Sequence, residues 1–189
     1  EYNKEKVVVY NTYQLYRNDR YHFLQLSHKI AKEKNFKLGA KLVRGAYMEK
    51  ERLRAKEQGI ASPIHLDKEA TDKDFNDAAA FCIQNKENIS FILASHNEES
   101  NLKIAQLMIE KGIPADDPHV HFSQLYGMSD PISFNIAKEG YNVSKYLPFG
   151  PIKDVIPYLM RRAEENSSVN GQTSRELLFI RQELARRKA

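Results

Sequence analysis

Residues 145–166 read KYLPFGPIKDVIPYLMRRAEEN. A short apolar run ends at Tyr146, a Pro-Phe-Gly-Pro turn follows, and a helical pattern then carries two consecutive arginines, Arg161 and Arg162. A planar guanidinium fork is the usual protein partner of a carboxylate or phosphate. A phenol and a guanidinium pair near one strand-to-helix junction therefore read as an anion-recognition site. On a helical wheel Arg162 falls between Val155 and Leu159 on the apolar stripe, which turns it toward a sheet rather than toward water. Arg161 shares another stripe with Tyr158 and Glu165. Its plain alternative is a surface ion pair with Glu165, worth a few tenths of a kcal/mol.

Other strand ends add candidates. In KLVRGAY, alternation points Lys41 and Val43 one way and Leu42 and Arg44 the other. A lysine inside an apolar strand is costly unless paired, although it can also snorkel outward. LASHNEES ends a strand at His96 and Asn97; Asn97 is a good N-cap, and His96 can serve a ligand or simply the core. His119 and His121 form an H-x-H pair on one strand face, but no third ligand is evident, so no metal site is expected. Gln124, ahead of Tyr126-Gly127-Met128, is a hydrogen-bonding candidate.

These residues need a scaffold. The chain has 189 residues, 41% hydrophobic and 29% charged, enough for one domain with a real core. The net charge of +4 suits small anionic substrates and argues little for nucleic acid. Cys82 is the single cysteine, so a disulfide framework is excluded. No apolar run is long enough to span a membrane. The chain opens on EYNKEK, without an initiator methionine, and leads into a strand; this reads as a cut made inside a larger protein. Strands are predicted at 7–13, 39–46, 90–96, 119–125 and 143–148. Helices are predicted at 20–34, 71–86 (N-cap Thr71), 98–111 (stopped by Gly112), between Pro131 and Gly140, at 151–166, and at 174–188 behind a Thr173–Glu176 capping box. Residues 59–70 are the longest connection. The alternation predicts a parallel sheet with helical crossovers. Five strands close a doubly wound sheet, or they form the C-terminal part of an eight-stranded barrel.

KLVRGAYMEKER, ASHNEES, QLYGMSD and KYLPFGPIKDVIPYLMRRAEENSS, in that order, resemble proline dehydrogenases, nearer the monofunctional mitochondrial type than the large bifunctional bacterial one. The resemblance runs from about residue 7 to about residue 170. It implies an α/β fold, the last five βα units of a distorted (βα)8 TIM-like barrel. One partial domain would fill 1–189, with a C-terminal helix and tail at 167–189. It also implies FAD held without covalent linkage, oxidation of L-proline to Δ1-pyrroline-5-carboxylate, and a quinone acceptor with peripheral membrane association. The compartment would be mitochondrial in a eukaryote, and cytoplasmic or at the inner membrane in a bacterium.

By the same resemblance Arg161 and Arg162 grip the proline carboxylate and Arg162 also lines the cofactor pocket. Tyr146 packs beside the substrate ring, and Tyr47 and Leu42 complete the pocket. Lys41 stands near flavin N5. Val43 offers a backbone contact, and Asn11 a flavin-contacting amide. Lys68 and Thr71 meet the FAD phosphates, His96 the adenine end, Gln124 the flavin-facing strand end, and Glu165 is a flavin-pocket carboxylate. Hydroxyproline dehydrogenases carry a smaller residue in place of Tyr146, so tyrosine favours unsubstituted proline. Met48 and Leu66 depart from the bifunctional enzymes' tryptophan and threonine. The family's early strands, with a carboxylate-binding lysine and a pocket aspartate, have no counterpart here, and no general base is evident. The competing readings are a Schiff-base lyase or aldolase using Lys41, and an inactive fragment or binding module. Open strand edges would be covered by a second copy, by swapping or by aggregation.

Overall fold

The strands at 38–43 and 89–94 alternate between fully buried and half-buried residues toward their carboxyl ends, which gives the sheet one buried face there. The computed structural model describes residues 2–168 and 172–188, without the side chains of residues 163–176, 179 and 188. The chain divides into two compact units, Glu1–Tyr146 and Leu147–Ala189. The first unit runs β1 (Asn11–Gln14), α1 (Arg20–Glu33), β2 (Leu38–Val43), α2 (Met48–Gln58), α3 (Lys68–Gln84), β3 (Ile89–Ala94), α4 (Glu98–Glu110), β4 (Val120–Leu125), α5 (Asp130–Lys138) and β5 (Val143–Tyr146). The second holds α6 (Ile152–Ser168) and α7 (Gln172–Lys188).

The sheet is wholly parallel, in the strand order β1-β2-β3-β4-β5. A doubly wound sheet reverses its order at a switch point; this one does not. Tyr13, Leu42, Phe91 and Phe122 point to one face and join Leu24 of α1, Phe75 of α3 and Ile104 of α4 in a single core cluster. Each such side chain contributes about 1.5–3 kcal/mol on burial. The other face is not packed under the helices of this first unit. Lys41, Ile92 and His121 lie in one lateral row across it and are half-buried. Parallel sheets are normally covered on both faces. A singly wound, one-sided sheet with a mixed inner face is an arc of a barrel.

Local chemistry moves several boundaries. The strand predicted from residue 7 begins at Asn11, because the Asn3 side chain satisfies the stretch before it. Asn3 Oδ1 accepts from the amides of Val8 (3.0 Å) and Val9 (2.9 Å), and Nδ2 donates to the Val9 carbonyl (2.8 Å). Helix α3 starts at Lys68, three residues ahead of expectation, with Asp67 rather than Thr71 as N-cap; Asp67 Oδ1 accepts from the Ala70 amide at 2.7 Å. Helix α2 was missed. Its sequence, MEKERLRAKEQ, buries only Ala55, so it has no apolar stripe to detect. It is stopped by Gly59 in the left-handed region. The connection that follows is pinned to the β1–α1 turn by Asn18 N–H to Pro63 O (3.0 Å) and His65 N–H to Tyr16 O (3.0 Å). No helix among the described residues is long and apolar enough to cross a membrane.

Gly45 ends β2 with φ +125°, and a Cβ there would sit 1.7 Å from Cδ1 of the buried Tyr16 ring. Gly45→Ala therefore combines backbone strain with overpacking, and is expected to cost about 2 kcal/mol or more. An unchanged denaturation midpoint would contradict this packing.

Candidate active site

The carboxyl ends of the strands carry most of the chemistry. Lys41 emerges on the uncovered face with its Nζ 4.8 Å from the centroid of the Tyr146 ring, a cation–π contact between β2 and β5. The sheet register explains the meeting. Lys41 aligns with Ile92, Ile92 with His121, and Leu125, two pleats further along β4, with Tyr146. Burial pushes the Lys41 ammonium below its ordinary pKa. Val43 shares this face, and its carbonyl accepts from the Leu15 amide at 2.8 Å. His121 Nδ1 is buried on the same face without a hydrogen-bond partner among the described residues, and burial lowers its pKa, favouring the neutral ring. The other member of the H-x-H pair, His119, pairs Nδ1 with Ser90 Oγ at 2.7 Å. No group of three His, Cys, Asp or Glu able to hold a metal occurs among the described residues.

Behind the rim, on the helix side, lies a network that the sequence did not single out. Arg44 Nε donates to Asp72 Oδ1 (2.6 Å), Nη1 to Ser95 Oγ (2.8 Å) and Nη2 to Ser100 Oγ (2.9 Å), with the guanidinium 4.3 Å over the Phe75 ring. Asp72 also accepts from Lys68. Burial alone would raise the Asp72 carboxyl, but the hydrogen bonds from Lys68 and Arg44 outweigh it and bring its pKa below the ordinary carboxylate value. Gln124 is buried beside this network, donating to the Ser95 carbonyl (3.3 Å) and accepting from Ser133 Oγ (2.8 Å). His96 Nδ1 pairs with Ser129 Oγ (2.9 Å), and Ser129 holds a left-handed backbone, φ 52°, at the start of α5. Lys145 fastens the same turn through the Met128 carbonyl (2.6 Å) and Asp130 (2.7 Å). Strained non-glycine residues cluster at functional sites.

In the second unit, Arg162 stacks over the Tyr158 ring of its own helix at 5.0 Å. Arg161 precedes it on α6, and both are half-buried. The helix contains Pro157 and exposes Ile152, Ile156 and Met160. Glu165, predicted as a flavin-pocket carboxylate, has a side chain outside the described residues.

The sequence profile described as "Proline dehydrogenase" matches residues 1–175. The chain belongs to the proline dehydrogenase family. It is 39% identical over 99% of its length to "Proline dehydrogenase 1, mitochondrial" of Drosophila melanogaster, and 41% identical over 98% of its length to "Hydroxyproline dehydrogenase" of Xenopus laevis. It covers 29% and 41% of those proteins. Among solved structures it resembles proline utilization A from Bdellovibrio bacteriovorus inactivated by N-propargylglycine, with TM-score 0.77 and 29% identity over 85% of this chain and 17% of that one. The barrel arc is thus part of a TIM-like barrel, and the chain spans well under half of the relatives it matches.

Against this family background, the register places three of the expected residues on the helix side of the sheet. Leu42 has no exposed surface and lies in the helix-side core. Asn11 aligns with Ala40 on the same helix-facing side; Gln14, aligned with Val43, is the amide that shares the Lys41 face. Gln124 also faces the helices, its amide committed to Ser95 and Ser133. The pleat had already separated Leu42 from Lys41 in the sequence, and resemblance overrode it. Thr71 is 6% exposed and donates to the Asp67 carbonyl at 3.3 Å, turned into its own helix. Lys68, by contrast, stands largely exposed at the first position of α3, and Tyr47 is exposed at the N-cap of α2.

Asp72→Asn tests the rim network. With its folded pKa depressed, Asp72 stabilises the fold above its unfolded pKa, and that contribution is lost as pH falls through the folded value. The variant is expected to lose about 1–3 kcal/mol at neutral pH and to show a shallower decline in acid, measured by denaturation across pH. Parallel pH profiles for the two proteins would refute the pairing.

Proposed function

We propose that the protein carrying this chain oxidises L-proline to Δ1-pyrroline-5-carboxylate using non-covalently bound FAD, and that this chain forms the C-terminal part of its barrel. The observation that carries the reading is the Lys41–Tyr146 stack on the uncovered sheet face. A flat, electron-accepting ring needs an apolar wall and a cation near the atoms that gain charge. Ile92, Ala94 and Val43 supply the wall on the face where Lys41 supplies the cation. His121 Nδ1, which has no hydrogen-bond partner among the described residues, leaves further hydrogen-bonding capacity there. Lys68, at the amino end of α3, suits a phosphate, because the first amides of a helix and its dipole favour negative charge.

Bound there, FAD supplies the acceptor for the hydride lost from the ring carbon that becomes the imine carbon. The chain's own residues hold the substrate. Arg161 and Arg162 pair with the proline carboxylate, and fixing a carboxylate with two guanidinium groups orients the ring for transfer. Tyr146 fills the space beside the ring and excludes a ring hydroxyl. Tyr47 borders the pocket. His96 serves the adenine end of the cofactor and Glu165 the flavin pocket. Electrons pass on to a quinone at a membrane surface, which the protein meets peripherally: the mitochondrial inner membrane in a eukaryote, the inner membrane in a bacterium. The edges β1 and β5 are covered by the rest of the barrel or by a second copy, and the 189-residue piece alone is inactive. The depressed pKa of Lys41 also suits a Schiff-base nucleophile. Borohydride trapping of a carbonyl substrate on Lys41 would favour that second reading.

Two variants of the full-length protein test the proposal by dye reduction. Arg162→Met is expected to lower kcat/KM for L-proline by about a hundredfold or more, as loss of a charged carboxylate contact should; unchanged kinetics would end the assignment. Tyr146→Ser is expected to shift kcat/KM toward 4-hydroxyproline relative to proline by about tenfold. An unmoved ratio would remove Tyr146 from the substrate pocket.

A further inference from the structure

Arg44 sends its three nitrogens to three different elements. Nε reaches Asp72 on α3, Nη1 reaches Ser95 at the end of β3, and Nη2 reaches Ser100 in the first turn of α4. Each contact leads to a residue of the proposed cofactor site. Asp72 also holds Lys68, the exposed cation at the amino end of α3. Ser95 Oγ accepts from the Asn97 amide as well (3.1 Å), and Asn97 caps α4 through the Ser100 amide (2.8 Å). His96 sits between these two anchored residues, its ring directed to Ser129. Arg44 is itself fixed, packed on Phe75 and tied by its carbonyl to the Tyr16 amide at 2.7 Å.

We infer that Arg44 is a positioning residue of the cofactor site: it sets the spacing between Lys68 on α3 and His96 before α4, and so the seat for the phosphate-to-adenine half of a dinucleotide. The inference rests on the function proposed above. The side chain must be arginine because three acceptors in different directions are met at once by one planar group. A lysine offers a single ammonium, which can keep the Asp72 pairing but cannot also span Ser95 and Ser100. Groups that orient ligand-binding residues commonly govern affinity by factors of about 10–100.

The test uses the full-length protein and FAD itself as the probe. Wild type, Arg44→Lys and the milder Ser100→Ala are stripped of flavin, and FAD binding is followed by quenching of flavin fluorescence. Thermal midpoints are measured on the apo-proteins, and kcat for L-proline at saturating FAD. Arg44→Lys is expected to weaken FAD binding by about tenfold or more, and Ser100→Ala by a smaller factor. Apo midpoints should stay within a few degrees of wild type, and kcat at saturation within about threefold. FAD affinity unchanged in both variants overturns the inference while leaving the proposed function standing. So does a loss of affinity that merely tracks a fall in the apo midpoint. A wild-type protein that binds no FAD instead overturns the function on which the inference rests.

Discussion

A partly desolvated ammonium on the uncovered face of a parallel sheet is the constraint around which the rest is arranged. Lys41 is held there by β2, whose opposite side chains Ala40 and Leu42 are locked into the helix-side core. It cannot turn away without dragging that core, and its stem lies among half-buried apolar neighbours that cannot solvate it. The Tyr146 ring compensates in part, and the compensation requires β5 to be in register with β4. Sheet order, register and the chemistry of one side chain are therefore a single problem. Burial disfavours that charge, and on the proposed function it is relieved by a partner that gains negative charge.

The helix side solves a different problem. Parallel strands end in loops, and the start of α3 at Lys68 and the loop carrying His96 need anchors. Arg44, Asp72, Ser95 and Ser100 supply these at the carboxyl rim. The same guanidinium stacks on Phe75, so the polar clamp is bolted to the apolar core rather than floating in solvent. Ser129, in a conformation unfavourable for a side chain, is held by its contact with His96 and by the fastening of the β4–α5 turn through Lys145.

Much of this was legible in the sequence, because apolar spacing is a strong signal. Among the described residues all five strands and six of the seven helices coincide with predicted elements, and Leu24, His28 and Ala31 are the buried residues of α1. The helix that escaped, α2, buries one small side chain, so its charges gave no period. Strand ends slipped where a side chain such as Asn3 replaced the ladder. The site was less legible for a physical reason: a parallel sheet has two faces, and resemblance assigns residues without saying which face they occupy. Alternation placed Lys41 opposite Leu42, and the register then moved Asn11 and Gln124 to the helix side. Arg44 was hidden because its partners lie far along the chain, at Asp72, Ser95 and Ser100, and only the fold brings them together.

On the proposed function, Lys41 stands against the electron-accepting ring. Anaerobic bleaching of bound flavin absorbance by L-proline, followed in single turnover for the full-length protein and its Lys41→Met variant, tests this directly. Rapid bleaching of the wild-type chromophore is expected, and bleaching slowed by at least about tenfold in the variant, with flavin still bound. Equal rates in the two proteins would contradict it.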